Sequence, residues 1–211
     1  MKILLVSLHI SILIPSLNAQ KYNLFKEFKN ISRPEKWWVI FHPFIAKKTL
    51  YLTKETLWSA DSIKKTDILD GDISGGQVDA FKHSYRMALL TQSFKWRKAW
   101  KLGKAHEKGN YITFKKGIKR GKENLPDKIS SEMDLWNNLK GIEIGLDNKN
   151  SSRTQLQEII IDSIEAGNMK IIKKNSSGKF LNCEGNVIPN DSLKGKWINN
   201  KCLVPSDYRG K

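Results

Sequence analysis

Apolar residues recur at three- and four-residue spacing along most of the chain up to about residue 167, then give way to short separated runs. The first helical signal is Ser32-Arg33-Pro34-Glu35, a capping residue followed by proline in the first turn. Behind it, residues 37–44 (WWVIFHPF) are apolar enough to predict a largely buried segment, with a kink or restart at Pro43 and helix to about Ser59. Residues 67–77 (DILDGDISGGQ) are dense in Asp and Gly and predict a loop. Asp70, Asp72 and Ser74 alternate as in a calcium loop, but the twelfth-position Glu of an EF-hand is missing, so a plain turn is expected.

Residues 78–92 form the strongest predicted helix. Phe81, Tyr85, Ala88 and Leu89 share one face, and Asp79, His83 and Leu90 lie nearly opposite, a distribution that suits the centre of a bundle. Trp96, Ala99, Trp100, Gly103 and His106 predict a second helix over 94–107, followed by a long basic connection from Asn110 to Asp127. A third helix, capped at Ser130 or Ser131, carries Asp134, Asn138, Gly141 and Gly145 on one face, where the glycines permit close approach of a neighbour. A fourth spans 153–166, with a stripe of Leu156, Ile159, Ile160 and Ile164 and Gly167 as its stop. From Met169 the segments MKIIKK, GKFLNC, EGNVIP and GKWINNKCLVP read as small strands joined by turns. The expected fold is mainly α, a helical bundle with a small C-terminal β appendage.

The first residues change the picture of where this fold acts. Lys2, an apolar run over 3–14, Pro15 and the small residue Ala19 are the parts of a secretory signal, predicted to be cleaved after Ala19; the run is shorter than the roughly 20 residues of a spanning helix. The expected organisation is therefore a signal at 1–19, a lead at 20–34, a helical domain at 35–167 and a β-rich tail at 168–211, in an exported, periplasmic or secreted protein. Cys183 and Cys202 are the two cysteines of the chain, and in an exported protein they are expected to form a disulfide. The formal charge of +16 becomes +15 without Lys2 and favours anionic partners: an envelope surface, an anionic substrate or nucleic acid. Nucleic acid is the minority expectation, because Tyr111 and Phe114 precede the lysine cluster instead of interleaving with it.

Three predicted helices carry polar groups where packing alone would place apolar ones: Asp79 and His83; His106 and Glu107; Asp134, Asn137 and Asn138. Two imidazoles and several carboxylates suit a divalent metal such as zinc, with His83, His106 and Asp134 as ligands, or a metal-free pair of general base and orienter. His106 and Glu107 are adjacent, so on a regular helix they diverge by about 100° and cannot both point at one atom. Either the helix frays at Lys108-Gly109 or one of them supports the other's site. A buried network that only holds helix register is the structural alternative. His42, beside Pro43, is expected to be a satisfied core or turn histidine. The GxSxG, Walker, HExxH and GxGxxG patterns are absent, which argues against the commonest hydrolase and nucleotide-binding designs.

DAFKHSYR at 79–86, GKAHEKGN at 103–110 and MDLWNNLKGIEIG at 133–145 resemble, in order and spacing, a bacterial family catalogued as domain of unknown function 6973. HPFIAKK and LDGDISGGQ upstream look like its exported members from Bacteroidetes-type bacteria. The resemblance covers about residues 37–167 and implies an all-helical core in which Asp79, His83, His106, Glu107, Asp134, Asn137 and Asn138 cluster. Arg86 stands where the family usually has Trp, and Trp136 where a His is frequent. The expected function is a hydrolase acting on an anionic phosphodiester or lipid. In it Asp79, His83, His106, Glu107 and Asp134 are the catalytic set, with Glu107 as general base, and Arg86, Asn137 and Asn138 bind substrate. The alternative is a non-enzymatic, basic exported binding protein with the cluster as internal scaffold.

Overall fold

In a computed structural model, residues 23–123 and 125–210 are described, and they are mainly helical with a small two-stranded sheet near the C-terminus. The predicted signal, residues 1–19, lies outside the described residues. Within the predicted lead, α1 (Leu24–Asn30) is a seven-residue helix whose first turn is closed by Asn23, the Oδ1 of which accepts from the Lys26 N–H at 3.0 Å. Residues 31–211 form a separate compact unit.

The first helix of that unit starts at the predicted cap. Ser32 caps α2 (Arg33–Phe41) with a reciprocal capping box: its hydroxyl accepts from the Glu35 N–H, and the Glu35 carboxylate accepts from the Ser32 N–H. The helix breaks at His42 and restarts as α3 (Pro43–Lys64). His42 is a turn histidine, stacked on Trp38 with Nδ1 2.8 Å from the Trp38 carbonyl. Burial of WWVIFHPF is a correction. Trp38 goes inward and its indole N–H donates to the Lys98 carbonyl, but Trp37, Ile40, Phe41 and Phe44 are exposed. A nine-residue helix has one face to bury, and Trp38 occupies it.

The centre of the bundle is α4 (Gln77–Ser93), as its two-sided pattern predicts; Phe81, Tyr85, Ala88 and Leu89 are fully buried on one side and His83 on the other. It packs against α3, α5 (Trp96–Ile118), α6 (Lys128–Asp147) and α7 (Arg153–Glu165). The α4–α6 contact is the closest in backbone terms. A Cβ at Gly141 would run into the Ser84 backbone, and one at Gly145 would lie 2.7 Å from the Ala88 carbonyl oxygen. The second helix is longer than predicted: α5 runs on to Ile118 through residues expected to be a basic loop. Lysine, isoleucine and tyrosine are acceptable in a helix, and Gly109 there serves close packing, its Cα facing the Ser32 side chain.

The loop at 67–77 is a turn. Asp70 accepts from the Asp72, Gln77 and Val78 N–H groups, Asp72 accepts from Ser74, and Lys174 pairs with the other Asp72 oxygen. The tail forms fewer strands than predicted: β1 (Lys170–Ile172) pairs antiparallel with β2 (Leu203–Pro205), with isolated bridges Lys174 to Phe180 and Leu181 to Val187 and a short helix, α8 (Asn190–Leu193). The expected Cys183–Cys202 disulfide is present. It is joined to the bundle by many contacts: Ser206 accepts from Met169 N–H and donates to the Ile164 carbonyl, and the Gln77 amide donates to the Ser206 carbonyl. No described helix is long and apolar enough to cross a membrane.

Replacing Gly141 with alanine is expected to force α4 and α6 apart and cost about 3 kcal/mol in urea unfolding. A cost within a few tenths of that of an exposed substitution would contradict the close packing. Paired Cys183→Ala and Cys202→Ala substitutions are expected to remove about 3 kcal/mol, set by closure of the short loop between them, and thermal melts of oxidised and variant protein measure it.

Candidate functional site

Asp79 sits in the first turn of α4, where its Oδ2 accepts from the Gly75 N–H at 2.8 Å, so the capping role and the cluster role fall on one carboxylate. The other oxygen, Oδ1, faces Lys82, which pairs with it, and lies 3.6 Å from His83 Nε2 one turn on. The same imidazole nitrogen is 3.2 Å from Asp134 Oδ1, brought in from α6 by the close approach at Gly141. One ligand atom from each of Asp79, His83 and Asp134 lies within 4.8 Å of the other two, and all three residues are buried. Thus Asp79 and His83 face each other and Asp134, with His83 only 4 % exposed.

Around this triad stand the other predicted residues. Glu107 on α5 is buried, with Oε2 accepting from the Asn110 amide at 3.0 Å and Oε1 unpaired. Asn138 is fully buried beside His83, with its side-chain amide against the imidazole. The Arg86 guanidinium, one turn beyond His83, is sunk among Glu35, Glu107, Asp134 and Asp79 with Nε and Nη2 unpaired. His106 does not join the triad. Its ring centroid is 6.4 Å from that of His83, and its Nδ1 is 2.9 Å from Glu35 Oε1. The helix does not fray at Lys108-Gly109, so the adjacent His106 and Glu107 diverge as regular geometry requires: Glu107 goes to the cluster and His106 to its flank. Asn137 is elsewhere: its amide donates to the Lys170 carbonyl and accepts from the Lys170 N–H, both at 2.9 Å, clipping β1 to α6.

The electrostatics follow from burial. Desolvation, reinforced by Lys82, Arg86 and His106, holds the His83 imidazole well below its usual range against a small opposing effect of Asn138, which leaves a neutral ring. Desolvation followed by repulsion from Asp79 and Glu107 pushes the Asp134 carboxyl well above the usual range. Burial lowers the Arg86 guanidinium, and the four surrounding carboxylates pull it back. For Glu35, burial raises and the hydrogen bonds from His106 and Ser32 lower, and the bonds win, holding it at about 2.

Eight of the eleven buried side-chain polar atoms without a geometrically regular hydrogen bond, among the described residues, belong to Asp79, His83, Arg86, Glu107, Asp134 and Asn138, although Asp79 Oδ1 is ion-paired with Lys82 and the Asn138 amide lies against His83. The opposite face of α4 shows what a completed buried network looks like. There the Gln157 amide donates to Ser59 and to the Tyr85 hydroxyl, both at 3.1 Å, and Arg153 pairs with Glu55 at 2.7 Å. Burial still pushes the Tyr85 phenol to about 12, despite its bond from Gln157. Buried polar atoms in native proteins are hydrogen-bonded in the great majority, so the concentration of atoms without a regular hydrogen bond on the His83 face distinguishes it from the Tyr85 face.

The separation of His83 Nε2 from the two carboxylate oxygens fits a cation. Ligand atoms about 2.1 Å from a tetrahedral ion are about 3.4 Å from each other, and the two distances here are 3.2 and 3.6 Å. His106, predicted as a ligand, is replaced in the triad by Asp79.

A mainly helical bundle with a buried His and carboxylate triad between its two central helices is the class of protein that this geometry defines. Residues 36–168 match the family described as Domain of unknown function (DUF6973), and the chain belongs to that family. No curated protein and no solved structure matches the chain. Two residues of the site, Glu35 and Lys82, escape sequence reasoning. Glu35 reads as a capping-box acid, which it is, and Lys82 as an ordinary solvated lysine. The available signals are a capping acid with a second carboxylate oxygen to spare, and a base three residues after Asp79.

Because the folded-state pKa of Glu35, about 2, lies below its ordinary 4.5, its pairing stabilises the fold above pH 4.5 and is lost as pH falls toward 2. Glu35→Gln is expected to cost about 2 kcal/mol at pH 7, and the gap to wild type is expected to close between pH 4.5 and pH 2 in urea unfolding. A gap independent of pH would show that the carboxylate charge is not what stabilises.

Proposed function

We propose that the Asp79, His83 and Asp134 triad is a divalent-cation centre and that the protein is an exported hydrolase acting on an anionic substrate, a phosphodiester or a lipid. The observation that carries this is the buried cluster in which one ligand atom from each of Asp79, His83 and Asp134 lies within 4.8 Å of the other two, beside Arg86 and Glu107 atoms without a hydrogen-bond partner. A bound cation would supply Lewis acidity and lower the pKa of a water. His83, held neutral, offers a lone pair, and Asp79 is aimed by the Gly75 N–H. Glu107 has an unpaired Oε1 and is the group placed to accept a proton. Arg86 and Lys82 attract and orient the anionic group, and the Asn138 amide supplies a donor and an acceptor to it. His106, set by Glu35 on the flank of the cluster with its side chain one-third exposed, stands at the solvent side.

The burial of the triad, with Asp79, His83 and Asp134 at 8, 4 and 7 % exposure, favours a second reading: a basic exported binding protein in which the same cluster holds α4 to α6. The two are separated by metal analysis of the purified chain after dialysis against zinc, with hydrolysis of bis-p-nitrophenyl phosphate as the activity probe. Wild type is expected to retain about one ion per chain. His83→Ala and Asp134→Asn are expected to lose it while keeping their helical circular dichroism, with turnover reduced at least about a hundredfold. Metal-free wild type without turnover, and variants that unfold, would establish the structural role instead.

A further inference from the structure

The exposed half of WWVIFHPF has no role in the site. On α2, Trp37, Ile40 and Phe41 share a face at helical spacing, and the Trp37 and Phe41 rings stack at 5.9 Å. Just past the break at His42, Phe44 opens α3 at 98 % exposure, with Phe41 at 72 %, Ile40 at 53 % and Trp37 at 49 %. Large apolar side chains left in water at one helix corner mark an interaction surface. Between Glu35 and Glu55 the sequence holds four lysines, Lys36, Lys47, Lys48 and Lys54, and no Asp or Glu. Lys47 and Lys48, three and four residues after Phe44, are exposed.

We propose that this corner is a docking surface for an anionic phospholipid bilayer, with Phe41 and Phe44 entering the interface, Trp37 at the headgroup level, and Lys47 and Lys48 on the lipid phosphates. Trp and Phe beside lysines are the composition of an interfacial anchor, and an unbroken positive stretch complements anionic headgroups at about 1 kcal/mol per lysine. A corner that projects its rings outward inserts into a bilayer without needing a groove to receive it. The same helix carries Glu35 on its other side, against His106, so the docking face and the flank of the cluster lie on opposite sides of α2. The docking stands on surface residues alone and does not rest on the hydrolase reading.

The test is co-sedimentation of the full chain with vesicles of phosphatidylcholine alone and of phosphatidylcholine mixed with phosphatidylglycerol. Wild type is expected to bind the mixed vesicles and to bind the neutral ones at least about tenfold less. Phe41→Ser with Phe44→Ser is expected to lower the affinity for mixed vesicles at least about tenfold, and Lys47→Glu with Lys48→Glu is expected to do the same while leaving weak neutral-vesicle binding unchanged. All four side chains are exposed, so the variants keep the wild-type thermal melt. His83→Ala is expected to bind vesicles as wild type does, which separates this surface from the cluster. Three results would overturn the proposal: no binding to mixed vesicles, binding undiminished in the phenylalanine variant, or a wild-type dimer in solution that the phenylalanine variant converts to monomer, which would assign the corner to a second copy of the chain.

Discussion

The approach of α4 to α6 at Gly141 and Gly145 is the constraint on which the rest of the bundle depends. Two helices ordinarily pack 8–10 Å apart, a separation set by the side chains between them. Here two positions without side chains let the α6 backbone rest on Ser84 and Ala88. The side chains one and two turns earlier on α6, Asn138 and Asp134, are thereby carried into direct reach of His83. Packing and chemistry are one decision: the glycines that tighten the core also fix the distance between an imidazole and a carboxylate.

The two faces of α4 treat buried polarity in opposite ways. Toward α3 and α7, Tyr85, Gln157, Ser59, Glu55 and Arg153 exchange hydrogen bonds and an ion pair among themselves. Toward α5 and α6, a larger set of acids and bases is gathered around His83 with fewer regular hydrogen bonds among them. The ion pair of the first network is partly exposed, with the Arg153 side chain at 38 % and Glu55 at 18 %, whereas the triad side chains are at 5 to 11 %.

Much of this was legible in the sequence, and the exceptions have physical causes. The helical periods, the cap at Ser32, the stop at Gly167 and the disulfide follow from local rules that the fold obeys. The convergence of DAFKHSYR, AHE and MDLWNN was legible because polar residues on apolar faces demand partners. Three features were not. The basic stretch after Asn110 reads as loop by charge, yet continues α5, since lysine-rich composition does not oppose helix. WWVIFHPF reads as core by hydropathy, which counts apolar residues and cannot say on which side of a short helix they fall. Asn137 and Asn138 are neighbours in a motif, but a step of about 100° sends one to β1 and the other to the cluster, and only the position of the tail reveals which.

The turn at Gly75 gives the tail a standing that its place beyond the family match, which ends at 168, does not suggest. The Gly75 N–H holds the Asp79 carboxylate, and its carbonyl accepts from the Ile172 N–H in β1 at 2.7 Å. The backbone of one residue is thus shared by an acid of the cluster and a strand of the tail, with Lys174 pinning the same loop at Asp72. The boundary drawn by family likeness and the boundary drawn by force transmission fall in different places. In mechanical terms the C-terminal segment is the far end of the support that aims Asp79, and the cluster ends at the disulfide-tied strands, not at residue 168.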